Sequence, residues 1–510
     1  MVENYSWVGN WSSKRALLSP SRTAVFDNTT RISYSFLDMD HNANKLANYL
    51  ESINISKGDR VGVFTKNRIE NIDLFNATGK TGAILVPFNV RLSTPEIIAL
   101  ISLTKPKILF YDSSLKAKIP DVEKAHPDMQ LFFLDDKENK DYQSRISTFS
   151  NQFTRKCEIN FDDPHIILFT GGTTGLPKGA ILSHKLIFWN SVNTITSWGL
   201  RPDDIQPLLF PLYHTGGWNV LFIPFYHIGA QTILMGDFDP HETLHVISKH
   251  NCSVVIGVPT IYQMVSESDI FKTATFDSVR VFISGGAACP LAIMEKYWGK
   301  NKPFKMGYGL TEVGPNNFYL PEDKIKEKPL SVGFPVFHCD MKIVDDEGKI
   351  VAVNEVGELC LKGPHRFSGY WNNEEETKRT IDSDGWVHTG DLAKQDEEGF
   401  YYIVDRKKDM FISGGENVFP VEVEEVIYKH PNVLEVAVFG VTDEKWGEVG
   451  VAAIAPKQNL TVSEQEIKNF LQDKLARFKQ PKYYVFYKEL PKSAAGKILR
   501  REVKKEFKLK

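Results

Sequence analysis

Cysteine is scarce in this chain: five residues, Cys157, Cys252, Cys289, Cys339 and Cys360, spread over 510 positions. None forms a CxxC pair or a metal-ligand spacing, which leaves no cysteine-based metal site. Scattered thiols in so long a chain suit a reducing compartment and burial. Charge of one sign is missing too. The 61 lysines and arginines stand against 64 aspartates and glutamates, a formal net charge of -3, which argues against a general nucleic-acid binder. No apolar run is long enough to span a bilayer. The start, Met1-Val2-Glu3-Asn4-Tyr5, lacks the basic and apolar regions of a signal peptide. No internal repeat or low-complexity tract stands out. The expectation is a cytoplasmic protein with no transmembrane segment and no nucleic-acid partner. A hydrophobic content of 42% and a charged content of 25% are those of a soluble globular protein, and the length calls for two or more domains.

What is present is a phosphate-binding composition. Thr170-Gly171-Gly172-Thr173-Thr174-Gly175-Leu176-Pro177-Lys178-Gly179 follows the apolar run His165-Ile166-Ile167-Leu168-Phe169. Glycines let backbone N–H groups approach an anion, hydroxyls add donors, and the lysine adds a mobile positive charge. A P-loop needs Gly-Lys-Ser/Thr opening a helix. Here Pro177 precedes the lysine and the extended Ala180-Ile181-Leu182 comes after it. Ser183 then reads as the N-cap of a helix through Leu186-Ile187-Phe188. The loop therefore joins two strands.

The pattern along the chain predicts an α/β fold. A capping box, Ser35 with Asp38, opens a helix to Leu50. Val61-Gly62-Val63-Phe64 reads as a strand, Ile69 to Gly82 as a helix, and Ala83 to Pro87 as a strand. Buried strands recur at Gln206 to Pro211, Thr232 to Leu234, Val254 to Ile256 and Arg280 to Ile283. This alternation implies a large N-terminal α/β domain with mainly parallel sheets. Near residue 330 the character changes. Extended runs at Met341 to Val344, Gly357 to Lys362 and Gly399 to Val404 predict a smaller antiparallel or barrel-like section. A last unit follows Asp405-Arg406-Lys407-Lys408. It carries a helix at Pro420 to Lys429, strands at Val433 to Phe439 and Val449 to Ala455, and a helix at Ser463 to Leu475. The boundary is placed at this charged stretch, giving domains 1–407 and 408–510.

Three further segments carry chemistry. Gly307-Tyr308-Gly309-Leu310-Thr311-Glu312 sets an aromatic, a hydroxyl and a carboxylate between glycines; an aromatic face stacks a purine and a carboxylate holds Mg²⁺. Gly385-Trp386-Val387-His388-Thr389-Gly390-Asp391 ends in a carboxylate suited to a ribose diol. Pro491-Lys492-Ser493-Ala494-Ala495-Gly496-Lys497 puts a lysine in a flexible loop. Together, and in this order, these motifs resemble the adenylate-forming superfamily: acyl-CoA synthetases, luciferases and peptide-synthetase adenylation domains. The resemblance covers nearly the whole chain and is closest to fatty acyl- and aryl-CoA ligases.

That resemblance implies roles. Thr170, Gly172, Thr173, Thr174, Gly175 and Lys178 would hold the β,γ-phosphates of ATP. Gly285, Gly286 and Ala287 would lie against the adenine, with Tyr308 stacked on it beside Gly309. Thr311 would bond the α-phosphate and Glu312 would ligate Mg²⁺. Asp391 would grip the ribose, helped by Arg406. Lys497 would be the catalytic lysine between carboxylate and α-phosphate. His214 would border the acyl pocket, with Asn219, the Val258-Pro259-Thr260 turn and Met306 in its walls; Trp218 either closes that pocket for short acids or packs in the core. Lys408 would be the hinge of a small mobile α+β C-terminal domain. Gly414, Gly415 and Trp446 would help form the CoA-bound state, and the lysine-rich tail from Lys479 would attract CoA phosphates. Gly171, Met306 and Ala495 depart from the commonest pattern: serine, glutamine and a small hydroxyl residue are usual there. Met306 would make its wall more apolar.

The implied activity is an ATP-dependent acyl-CoA synthetase with ATP, Mg²⁺ and CoA as cofactors and co-substrate, acting on a medium- or long-chain fatty acid. The alternatives are an aryl-CoA ligase and an adenylating enzyme that loads a carrier-protein thiol. A non-catalytic nucleotide-binding protein is disfavoured by the joint presence of Lys178, Glu312, Asp391 and Lys497. A homo-oligomer is compatible with the sequence.

Overall fold

The computed structural model describes residues 5–135, 141–171, 177–493 and 496–507. Gly172, Thr173, Thr174 and Gly175 of the phosphate loop, and Ala495, lie outside the described residues. The largest sheet has six strands in the order Gln130–Phe133, Ile108–Tyr111, Arg60–Phe64, Ile84–Pro87, Pro164–Thr170 and Lys178–Ser183. All pairs are parallel except the last, an antiparallel hairpin. Its parallel strands are near-continuous apolar runs, as burial on both faces requires. A second sheet places Ile205–Leu208, Gln231–Leu234 and Thr23–Asp27 in parallel, with Ile32–Ser35 antiparallel at the edge. The Ser253 amide donates to the Ile205 carbonyl at 2.8 Å and joins this sheet to a third. That one is a parallel triplet, Val254–Gly257, Val281–Ser284 and Phe304–Met306.

Two helices are packed in the core against these sheets. Phe36–Ser52 starts at the Ser35–Asp38 capping box. Ile69–Thr81 is buried along its whole length, so its polar residues must find partners inside the protein. Lys80 donates to Asp40 and Asn10 at 2.8 Å and to Ser13 at 2.7 Å. Asp73 accepts from the Tyr142 hydroxyl at 3.0 Å, and burial pushes its pKa well up. Among the described residues no helix is long and apolar enough to cross a membrane.

The section after residue 330 is a four-stranded antiparallel sheet, Asp340–Val344, Gly357–Lys362, Val387–Gln395 and Tyr401–Arg406. Its last strand begins two residues later than the apolar pattern suggests, because Gly399 takes a positive φ of 88° in the preceding turn. From Phe411 onward the chain builds its own sheet around the long antiparallel pair Val433–Asp443 and Gly447–Pro456. The helices Pro420–Tyr428 and Glu464–Leu471 cover one face and Arg500–Glu506 the other. The expected helix to Leu475 ends at Leu471. Three lysines of the tail are paired within this unit: Lys479 with Glu422, Lys482 with Asp443, and Lys492 with Glu435.

Candidate active site

The short parallel triplet organises the site. Its three strands end side by side, and each C-terminal end opens into a loop: Val258-Pro259-Thr260, Gly285-Gly286-Ala287 and Gly307-Tyr308-Gly309. Ligands of open parallel sheets bind at this edge. Backbone bonds lock the loops together, Gly285 N–H to Gly257 carbonyl at 3.0 Å and Gly307 N–H to Ser284 carbonyl at 2.7 Å.

The antiparallel sheet faces these loops with Asp391 and Arg406, which oppose each other across its last two strands. The Tyr308 hydroxyl donates to Asp391 Oδ2 at 2.6 Å, and Arg406 Nε lies 3.7 Å from Asp391 Oδ1. Burial, with the Asp391 charge beside it, holds the Tyr308 phenol well above its ordinary pKa, so it stays protonated and keeps donating. Asp391, Tyr308 and Arg406 thus come together as a polar clamp beside the glycine loops.

The phosphate hairpin closes another side. Thr170 and Lys178 are cross-strand partners at the mouth of the loop. Lys178 is ion-paired with Glu376 and lies 5.2 Å from the centre of the Tyr370 ring. The Tyr370 hydroxyl donates to Glu312 Oε1 at 2.7 Å, and Thr170 also bonds that carboxylate. Burial raises the pKa of Glu312; these bonds oppose the rise. Among the described residues no lysine or arginine forms an ion pair with Glu312, and no group of three or more His, Cys, Asp or Glu side chains is arranged to hold a metal. A buried, unpaired carboxylate beside a phosphate loop fits Mg²⁺, which is commonly held by one or two carboxylates together with substrate phosphates. Thr311 is buried next to it, on the same short 3₁₀ turn.

Lys497 enters this site from the C-terminal unit. Burial, with Arg406 and Arg500 nearby, pulls its amine down to about 8, while Asp391 and Asp409 oppose the fall. The charge of Lys497 in turn reaches His214, whose pKa burial has already lowered to about 4. The Gly216 N–H donates to His214 Nδ1 at 3.1 Å. The neutral imidazole therefore carries its proton on Nε2 and presents a donor there.

Not every expected residue joins. Trp218 is fully buried, stacks on Phe75 at 5.1 Å, and belongs to the main core. Asn219 is likewise fully buried and donates to Thr215 at 3.1 Å. Trp218 thus takes the core position, one of the two its sequence left open. Gly414, Gly415 and Trp446 form a separate exposed turn, in which the Gly414 N–H donates to the Trp446 carbonyl at 2.8 Å. Among the described residues, no hydrogen bond, ion pair or ring contact links that turn to Asp391, Glu312 or Lys497. Lys408 sits in the turn that follows Tyr401–Arg406. Sequence reasoning missed Tyr370 and Glu376. Both lie far from Lys178 in the chain, and a tyrosine beside a tryptophan, or a glutamate in the first turn of a helix, carries no signal of its own.

The fold, a parallel triplet edged by glycine loops, a strand hairpin beside it and a second unit carrying a buried lysine, is that of an adenylate-forming enzyme. The chain belongs to the AMP-binding enzyme family: residues 13–371 match "AMP-binding enzyme" and residues 422–497 match "AMP-binding enzyme C-terminal domain". Its class is that of the AMP-forming acid–thiol ligases. It is 33% identical to a feruloyl-CoA synthase of Amycolatopsis sp, over 98% of this chain and 99% of the relative. It is 31% identical to an indoleacetate–CoA ligase of Aromatoleum aromaticum, over 98% and 97%. ATP-bound MatB from Rhodopseudomonas palustris superposes with a TM-score of 0.89 at 29% identity, over 98% of both chains.

Proposed function

We propose that the protein is an ATP-dependent aryl-CoA ligase. It would activate an aromatic carboxylic acid as its adenylate, releasing pyrophosphate, and pass the acyl group to the CoA thiol, releasing AMP. The observation that carries the reaction is the burial of Lys497 within electrostatic reach of Asp391, Arg406 and His214, its loop seated on Thr260. The acid class rests on the relatives, named for ferulate and indoleacetate. They lend no support to a medium- or long-chain fatty acid, and the aryl alternative fits better.

In the first half-reaction a carboxylate oxygen attacks the α-phosphorus and the bond to the pyrophosphate oxygen breaks. The acid is already ionised at neutral pH, so no general base is needed. The obstacle is anion meeting anion. Lys497 lies between the two and offsets the charge that grows in the transition state; such a contact is worth about 3 kcal/mol, a hundredfold or more in rate. Lys178 releases Glu376 to hold the outer phosphates with Thr170. Thr311 bonds the α-phosphate, Tyr308 and the 285–287 loop flank the adenine, and Asp391 takes the ribose hydroxyls. His214 offers its Nε2 proton to the acid. Glu312 would hold Mg²⁺, which supplies neutralisation of phosphate charge.

In the second half-reaction the CoA thiol, having lost its proton, attacks the acyl carbonyl and AMP leaves. Residues 408–510 would rotate about Lys408, taking Lys497 out and bringing in the Gly414-Gly415 turn and Trp446. The test is AMP formation with aromatic acids and with aliphatic acids of graded length, each with CoA, with a carrier protein, or with neither. CoA-dependent turnover of aromatic acids is expected. Preference for a long aliphatic acid, or for the carrier, would overturn the reading.

A further inference from the structure

The Lys497 loop is shaped by its own bonds but seated by another part of the chain. Internally, the Ser493 N–H donates to the Lys497 carbonyl at 2.6 Å, the Lys497 N–H to Ser493 Oγ at 3.1 Å, and the Gly496 N–H to the Ser493 carbonyl at 2.9 Å. All three bonds lie within the C-terminal unit itself. They do not aim the amine. Among the described residues no carboxylate forms an ion pair with Lys497, so its place is set through its backbone.

One side chain of the nucleotide platform reaches that backbone. Thr260 follows directly on the strand Val254–Gly257 and lies in the first turn of the helix Pro259–Glu267. Its hydroxyl donates to the Gly496 carbonyl at 2.8 Å, across 236 residues of chain. Gly496 fits this seat because it has no side chain. Its φ is +80°, and a Cβ there would lie 2.8 Å from Thr260 Oγ1 and 3.1 Å from Val258 Cγ2. Arg91 adds a longer bond to the Ser493 carbonyl, 3.2 Å, at the exposed edge. Glu425 faces the Leu291 N–H at 3.3 Å, farther from the lysine. Of these three contacts only Thr260 bears on the peptide joined to Lys497.

We propose that Thr260 is a positioning residue for the adenylate-forming half-reaction, its hydroxyl gripping the Gly496 carbonyl to hold the Lys497 amine in the site. The inference rests on the role proposed above for Lys497. The grip exists only while the C-terminal unit is docked as seen here, so it serves one half-reaction and not the other.

The test separates the two. Thr260→Val keeps the shape and removes the donor. A neutral hydrogen bond contributes about 0.5–1.5 kcal/mol net, so kcat for pyrophosphate release should fall about three- to tenfold. KM for ATP should stay within about twofold, since the bond removed is to the Gly496 carbonyl of the lysine loop. Thioesterification of supplied acyl-adenylate should fall clearly less than pyrophosphate release, and Thr260→Ser should return the lost rate. A second readout needs no substrate: labelling of Lys497 by an amine reagent, followed by mass spectrometry, should be faster in Thr260→Val. Wild-type pyrophosphate release in that variant, equal loss in both half-reactions, or a serine variant no better than valine would overturn the proposal. If the unaltered protein released pyrophosphate with no acid at all, the ligase reading would fail instead. The labelling comparison would still decide whether Thr260 seats the lysine.

Discussion

Raising the pH should disarm Lys497 far sooner than an ordinary lysine. The amine must be charged to offset two approaching anions, yet burial and the neighbouring Arg406 pull it down to about 8. The profile of kcat/KM reports groups of the free enzyme. With a pKa near 8, about one lysine in eleven is protonated at pH 9 and about one in a hundred at pH 10. The rate constant for adenylate formation with subsaturating ATP should therefore fall about tenfold by pH 9 and a hundredfold by pH 10. An unperturbed lysine would lose only a few per cent at pH 9. Bound polyphosphate favours the charged amine, so kcat at saturation should break at a higher pH.

The assay is pyrophosphate release between pH 7 and 10 without CoA, in the wild type and in Lys497→Arg. Arginine stays charged throughout, so whatever activity that variant keeps should be flat across the range. A flat wild-type profile to pH 10, or the same break in the arginine variant, would refute the reasoning. The sign is fixed by the direction of the shift: a lowered amine pKa takes activity away as pH rises, not as it falls.

Four further outcomes are expected. Lys497→Ala should lose adenylate formation about a hundredfold or more yet still transfer supplied acyl-adenylate to CoA, which separate assays of the half-reactions would show. Lys408→Pro, by stiffening the proposed hinge, should slow transfer to CoA more than adenylation; a stopped-flow comparison in which neither changes would misplace the hinge. Tyr370→Phe removes a donor from Glu312, whose pKa burial already raises. As pH falls the variant should lose activity earlier than wild type, and its requirement for Mg²⁺ should rise; identical acid limbs would rule this out. Burial pushes the Asp73 pKa well above the ordinary carboxylate value. Above the unfolded pKa its cost to stability grows by about 1.4 kcal/mol per pH unit while it stays protonated. Asp73→Asn should therefore gain over wild type in urea midpoint as pH rises from 4 to 7, and a difference independent of pH would contradict it.

Much of this was legible in the residues because the signals are local. Pro177 and the run Ala180-Ile181-Leu182 predicted a hairpin in place of a P-loop, and Lys178–Ser183 pairs antiparallel with Pro164–Thr170. Ser183 caps the following helix through the Leu186 amide. Ser35 and Asp38 form the capping box their spacing suggests. What escaped depends on distant chain. Nothing about Trp218 distinguishes a pocket wall from the core until Phe75 is found against its face. Tyr370 and Glu376 gain meaning only when the bridge from Ala180 to Tyr370 brings them to Lys178. The strand Val387–Gln395 went unread because it includes Thr389 and Asp391, whose chemistry masks the alternation of a strand.

The pairing of Lys178 with Glu376 has a kinetic consequence. The strongest positive charge at the mouth of the phosphate hairpin is cancelled by its neighbour before any ligand arrives. The field that would draw a polyanion in over about a Debye length is thereby weakened. Nucleotide capture should then proceed at a rate that changes little between low and physiological ionic strength. The exchange of Glu376 for phosphate becomes a local event after encounter, and selection among anions shifts from how fast they arrive to how long they stay.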